Sequence, residues 1–273
     1  MSALGLIVCG PGGRMGATLI RLIEDTPGVT LAGAVDRPGS ERLGQDAGEV
    51  AGVGHLGVEI VDRIEPAAGE KRVIVDLTTP EASVAHMKAA AKTAAPIVIG
   101  TTGFNTRQLR QIRTLAAKTP TVLASNMSLG VNLLLDLVGQ VARGLGDAYD
   151  VEIVEAHHRF KKDAPSGTAL ALARAAGDAL GRKLERVGVE GRSGFGERKK
   201  TDIGLLSVRA GDIAGEHTVM FGGIGERIEL IHRAHSRDAF ARGAIRAAQW
   251  LADRENGLYG MRDVLGLAVT GSL

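Results

Sequence analysis

The stretch "EAHHRFKKDAPSGTAL", from Glu155 to Leu170, crowds two histidines, three basic residues, an aspartate and Ser-Gly-Thr into one segment. Histidine is the side chain most easily poised to give up a proton near neutral pH, which makes His157 and His158 candidates for acid catalysis. A lysine at 161 adds positive charge or a second proton. Ser166 precedes an apolar-periodic run and suits a helix N-cap, and position N3 is then Ala169, so no capping acid occupies the helix start. With Gly167 and Thr168 this forms a candidate seat for a carboxylate or phosphate. The competing description is a solvated basic loop between a strand and a helix. Zinc binding fits less well, because adjacent histidines diverge on a regular strand and no H-E-x-x-H helix is present. Ser166 lacks the G-x-S-x-G elbow of an activated nucleophile. The other histidines (His55, His86, His217, His232, His235) show no ligand spacing and read as surface or structural.

A second chemical signal stands near the start, where "GPGGRMG" places Gly10, Gly13 and Gly16 between an apolar run and a helical pattern. Backbone N–H groups at such a helix start suit a pyrophosphate, and small residues permit close approach. The spacing is G-x-x-G-x-x-G, a variant of the dinucleotide fingerprint, and a plain tight turn is the alternative. About 20 residues further on, Asp36 is placed to accept from a ribose 2′-hydroxyl, while Arg37 offers charge to a 2′-phosphate. This favours a nicotinamide dinucleotide, NADH or NADPH.

These residues need a scaffold, and the first half supplies an alternation of strands and helices. "LGLIVCG", "TLAGAVD", "KRVIVDLT", "PIVIGTTG" and "TVLASN" read as strands, separated by helices such as "PEASVAHMKAAAKTA" and "TRQLRQIRTLAAK". Repeated strand–helix–strand units imply a doubly wound parallel sheet of Rossmann type, with ligands at the strands' carboxyl ends. After residue 128 a long helical run precedes "YDVEIVEAHH". Then "IGLLSVRAG", "EHTVMFGG" and "RIELIHRAH" follow without intervening helices, which implies a smaller α+β domain with a mixed sheet. The expected domains are 1–128, to which the tail 238–273 returns, and 129–237.

Composition excludes several functions. A net charge of +2 and only 3% aromatic residues argue against nucleic-acid binding. No apolar run approaches the ~18 residues of a membrane span. The single Cys9 cannot form an internal disulfide, and with no signal-peptide pattern the expected location is the cytoplasm. No metal is expected.

The chain resembles the dihydrodipicolinate reductase family of bacterial diaminopimelate and lysine biosynthesis. The resemblance runs nearly end to end, through "GPGGRMG", "VIGTTGF", "SNMSLGVN", "EAHHRFKKDAPSGTA", "VRAGDIAGEHTVMF" and "GLYGMRDVLGL". It implies an NAD(P)H-dependent oxidoreductase acting on a cyclic dicarboxylate, 4-hydroxy-tetrahydrodipicolinate, by hydride transfer to C4 and protonation at C3. It implies dinucleotide contacts at Gly10, Pro11, Gly12, Gly13, Arg14 and Met15, and at Asp36 and Arg37. Further contacts fall at Gly100, Thr101 and Thr102, and at Ala124, Ser125, Asn126 and Met127. His157 matches the general acid and Lys161 a second proton donor. His158, Gly167 and Thr168 match substrate contacts, with Ser166 in the same anion-binding turn. A homotetramer is the implied assembly. Two other readings remain open on the residues: a different two-domain reductase of a small amino or dicarboxylic acid, and a non-catalytic dinucleotide sensor.

Overall fold

The computed structural model describes residues 3–64 and 71–267; residues 1–2, 65–70 and 268–273, which fall within the expected first domain, lie outside this description. The chain divides into two compact units, one holding the residues up to Leu129 and again from Arg237, the other Gly130–Ser236. The first unit opens with β1 (Leu4–Cys9), α1 (Arg14–Glu24), β2 (Val29–Val35), α2 (Ala47–Ala51), β3 (Ile60–Val61) and β4 (Arg72–Asp76). It continues with α3 (Pro80–Thr93), β5 (Ile97–Ile99), α4 (Thr106–Ala116) and β6 (Pro120–Leu123).

Local chemistry explains these boundaries. Thr79 caps α3 ahead of Pro80, and Asn105 with Gln108 forms a reciprocal capping box on α4. Strand β1 is an unbroken apolar run because both its faces are covered. Leu6 and Val8 pack on the side of Leu19 and Leu22 of α1, whereas Ile7 and Cys9 face Met87 of α3 and Ile112 of α4. All six strands are parallel, in the order β3-β2-β1-β4-β5-β6. The order reverses between β1 and β4, and that switch opens a crevice at the strands' carboxyl ends.

The second unit comprises α5 (Leu129–Leu145), β7 (Asp150–His157), α6 (Gly167–Ala179), α7 (Leu184–Val187), β8 (Gly188–Glu190), β9 (Ile203–Arg209), β10 (Gly215–Gly222) and β11 (Arg227–Ala234). Its sheet is mixed, ordered β11-β10-β7-β9-β8, with β7 parallel to β9 and antiparallel to β10. The closely spaced β9 and β10 are therefore not partners; β7 separates them. One face, with Ile153, Leu205, Val219 and Phe221, packs on Val138 of α5 and Leu172 and Ala173 of α6. Alternation sends the register row Ile231–Thr218–Val154–Leu206 to the other face. There Leu206 is 41%, Val208 44% and Ile231 44% exposed.

The chain then returns to the first unit through α8 (Asp238–Leu251), β12 (Gly257–Tyr259) and α9 (Met261–Val264). β12 adds a seventh parallel strand beside β6. Gly243 lets α8 lie against the backbone at Met127, since a Cβ there would run into the Met127 carbonyl. Arg21 of α1 also pairs with Asp238 of α8 at 2.8 Å.

Candidate active site

In the first unit the residues singled out for the dinucleotide all stand just past strand ends. Gly10, with φ +71°, follows β1; Pro11 and Gly12 lead to Gly13, the N-cap of α1, with Arg14 and Met15 in its first turn. A Cβ at Gly16 would run into the Gly10 carbonyl, so only glycine allows the helix to start this close to the strand. Gly13 supplies no side-chain cap and the first turn holds no acid. The N–H groups there are thus offered to an anion, which fits a pyrophosphate.

Asp36 follows β2. Its Oδ1 accepts the Arg37 N–H at 2.8 Å and its Oδ2 the Ser40 hydroxyl at 2.8 Å. Gly100, Thr101 and Thr102 follow β5, where the Ser83 hydroxyl donates to Thr101 Oγ1 at 2.8 Å. Ala124, Ser125, Asn126 and Met127 follow β6, and Asn126 Oδ1 accepts the Ser128 N–H at 2.9 Å. Two neighbours of the glycine turn escaped sequence spacing. Thr78, past β4, stands where a Cβ on Gly10 would meet it at 3.0 Å, and Arg42 lies across Gly12.

The second unit gathers the residues singled out for acid–base chemistry. His157 is the last residue of β7 and His158 the first beyond it, so the strand ends between the two rings. Glu155, two residues earlier on the same face, is 1% exposed. It lies 2.5 Å from His157 Nδ1, accepts both Nη groups of Arg209 at 2.8 Å, and accepts the Ser166 N–H at 3.1 Å. Burial pushes the Glu155 carboxyl up, but hydrogen bonds from Arg209 and His157 outweigh it and hold it at about 2. It is therefore an acceptor only, and the ring hydrogen of a neutral His157 belongs on Nδ1. That leaves Nε2 for proton transfer. Nε2 faces Gly215, where a Cβ would come within 3.1 Å.

Burial also lowers the His157 pKa; Glu155 opposes that shift, while Lys161 and Arg209 add to it. Lys161 Nζ donates to both oxygens of Asp163 at 2.9 Å, and this contact holds the Asp163 carboxyl below its usual range. Ser166 caps α6, its Oγ accepting the Ala169 N–H at 3.1 Å. The first turn of α6 holds no acid, and a Cβ on Gly167 would meet nothing within 4 Å. Thr168 follows in that turn. The helix start is open and fits an anionic group.

Glu155, Arg209 and His217 were not assigned roles from sequence spacing. A signal existed for Glu155, because acid and histidine alternate on the face that carries Val151 and Ile153. Arg209 pairs with His157 in register, and His217 with Glu155. His217 is buried rather than at the surface.

Comparison with known proteins places the whole chain in one family. The family model described as dihydrodipicolinate reductase, N-terminus, matches residues 4–127, and its C-terminus counterpart matches residues 130–265. A 4-hydroxy-tetrahydrodipicolinate reductase from Syntrophus aciditrophicus is 53% identical over 96% of this chain and 98% of its own length. One from Alkalilimnicola ehrlichii is 51% identical, again over 96% and 98%. The solved dipicolinate-bound dihydrodipicolinate reductase from Paenisporosarcina sp. TG-14 superposes with a TM-score of 0.74 at 24% identity, covering 94% of this chain and 97% of that one. With both family models matched almost end to end, the chain belongs to the dihydrodipicolinate reductase family.

Proposed function

We propose that this protein reduces 4-hydroxy-tetrahydrodipicolinate, by way of dihydrodipicolinate, to tetrahydrodipicolinate with NADH or NADPH, in diaminopimelate and lysine biosynthesis. The observation that carries it is the buried Glu155–His157 pair beside the open, acid-free start of α6. The C4 hydroxyl of the substrate leaves as water to give dihydrodipicolinate, and the reduced nicotinamide, when bound, would supply the hydride that C4 of this unsaturated imine receives. The chain's own work is to hold two carboxylates and move one proton. Ser166, Gly167 and Thr168 bind one carboxylate at the helix start, and His158 and Lys161 orient the ring. His157 delivers a proton from Nε2 to C3, and Glu155 stabilises the imidazolium that must precede the transfer. The test is oxidation of each cofactor by the purified protein with enzymatically generated substrate; cofactor binding without oxidation would instead favour a sensor.

The glycine turn and Asp36–Arg37 hold the dinucleotide in this account. Asp36 serves the 2′-hydroxyl and Arg37 a 2′-phosphate, so both cofactors are used. Arg37→Ala should weaken NADPH by about 10-fold, the scale of one charge-assisted hydrogen bond, and NADH much less. Equal losses in fluorescence titrations would remove Arg37 from that role.

The open face of the second sheet supports self-association into a homotetramer. Leu206 and Val208 on β9 and Ile231 on β11 are exposed apolar side chains on that face, and exposed apolar surface of this kind favours burial against a second copy. Leu206→Glu should shift sedimentation toward smaller species at micromolar concentration. A wild-type monomer at that concentration would contradict the assembly.

A further inference from the structure

The chemistry above leaves one buried imidazole without a task. His217, on β10, is 4% exposed and stands edge-on to His157 with 5.2 Å between ring centroids. Its Nε2 is 3.0 Å from Ser166 Oγ. Its Nδ1 is buried and has no hydrogen-bond partner among the described residues.

The direction of the His217–Ser166 bond follows from counting hydrogens. A serine hydroxyl has one hydrogen and two lone pairs. One lone pair of Ser166 Oγ accepts the Ala169 N–H. His217 either donates into the other lone pair or takes the hydroxyl hydrogen. Burial lowers the His217 pKa to about 4, so near neutrality the ring has a single hydrogen to place. If His217 accepted from Ser166, that hydrogen would sit on Nδ1, a buried donor facing no acceptor. Orphaned buried N–H groups are rare and costly. The hydrogen therefore sits on Nε2, and the unpartnered atom is only a lone pair.

We infer that His217 is a positioning residue: by donating its Nε2–H to Ser166 Oγ, it commits the Ser166 hydroxyl to donate outward, to a substrate carboxylate at the start of α6. Both lone pairs of Ser166 are then filled, and no described residue accepts its one hydrogen, which is therefore the hydrogen that Ser166 can offer a ligand. An oxygen that accepts two hydrogen bonds is also polarised into a better donor. A mere space-filling ring would do neither.

This inference rests on the dicarboxylate reading, and a double-mutant cycle separates the two. Dipicolinate is titrated by calorimetry into the NADH-loaded wild type, His217→Phe, Ser166→Ala and the double variant. His217→Phe should weaken dipicolinate by about 10-fold, raise KM more than it lowers kcat, and leave NADH affinity unchanged. In the Ser166→Ala background the same change should cost about 2-fold or less, because the group through which His217 acts is gone. His217→Gln, whose amide N–H reaches the Nε2 position, should recover most of the affinity, whereas the shorter His217→Asn should not. That pair decides the matter if His217→Phe fails to fold. Single effects that multiply in the double variant, or Gln and Asn variants that behave alike, would overturn the role of His217 and leave the substrate reading intact. A wild type that binds NADH but no dipicolinate would remove the dicarboxylate reading and this inference with it.

Discussion

Replacing His157 by alanine is expected to lower kcat by roughly 10²–10⁴, the usual worth of a positioned general acid, with NADH affinity almost unchanged. The separation follows from location, since His157 lies in the second unit and the glycine turn in the first. The pH profile sharpens the test. A general acid works in its protonated form, and burial holds the free His157 below its ordinary value of about 6.5. The kcat/KM profile should therefore fall as pH rises through a pKa below that value. A bound dicarboxylate adds negative charge beside the ring and favours the imidazolium, so the same limb in kcat should lie at higher pH. His157→Ala should remove the limb from both profiles. An alanine variant that turns over at the wild-type rate under saturating substrate would end the proton-donor assignment.

Glu155→Gln is expected to harm both rate and stability. The amide keeps the shape but loses the charge that stabilises the His157 imidazolium, and a loss of at least roughly 10² in kcat should result. It also strips Arg209 of its carboxylate. Breaking a fully buried ion pair from one side costs about 3–5 kcal/mol, and less is expected here because Arg209 is only half-buried. Arg209 keeps bonds to the Asp163 and Val208 carbonyls, so about 2–3 kcal/mol is the expected loss in urea unfolding. A Glu155→Gln variant with wild-type stability and an unchanged pH profile would show that the carboxylate supports neither the fold nor the acid.

Much of this was legible in the residues. The parallel sheet showed in short apolar runs, because both faces of β1, β4 and β5 are covered and leave no alternation to confuse. The short β3, β8 and β12 were not legible; two or three residues carry no period, and their pairing is decided by neighbours far along the chain. The sequence separation also hid β7 between β9 and β10, and with it the register that brings Arg209 and His217 to Glu155. His157, Lys161 and Ser166 stood out through residue type and crowding. Their supports did not, because a half-buried arginine or a buried histidine looks ordinary until the sheet places a carboxylate or hydroxyl beside it. Arg42 is the parallel case in the first unit: nothing in its spacing from Asp36 announces that it lies across Gly12.

All of these roles serve one step, the transfer of hydride from a reduced nicotinamide to C4 of the dihydrodipicolinate that forms when 4-hydroxy-tetrahydrodipicolinate loses water. Its most direct test is a single incubation of the purified protein with enzymatically generated substrate and stereospecifically C4-deuterated NADH or NADPH, the product being read by mass spectrometry and NMR. With the deuterium on the transferred face, tetrahydrodipicolinate should carry one deuterium at C4, in step with cofactor oxidation. No cofactor oxidation, or a product unlabelled at C4 with either face deuterated, would contradict it.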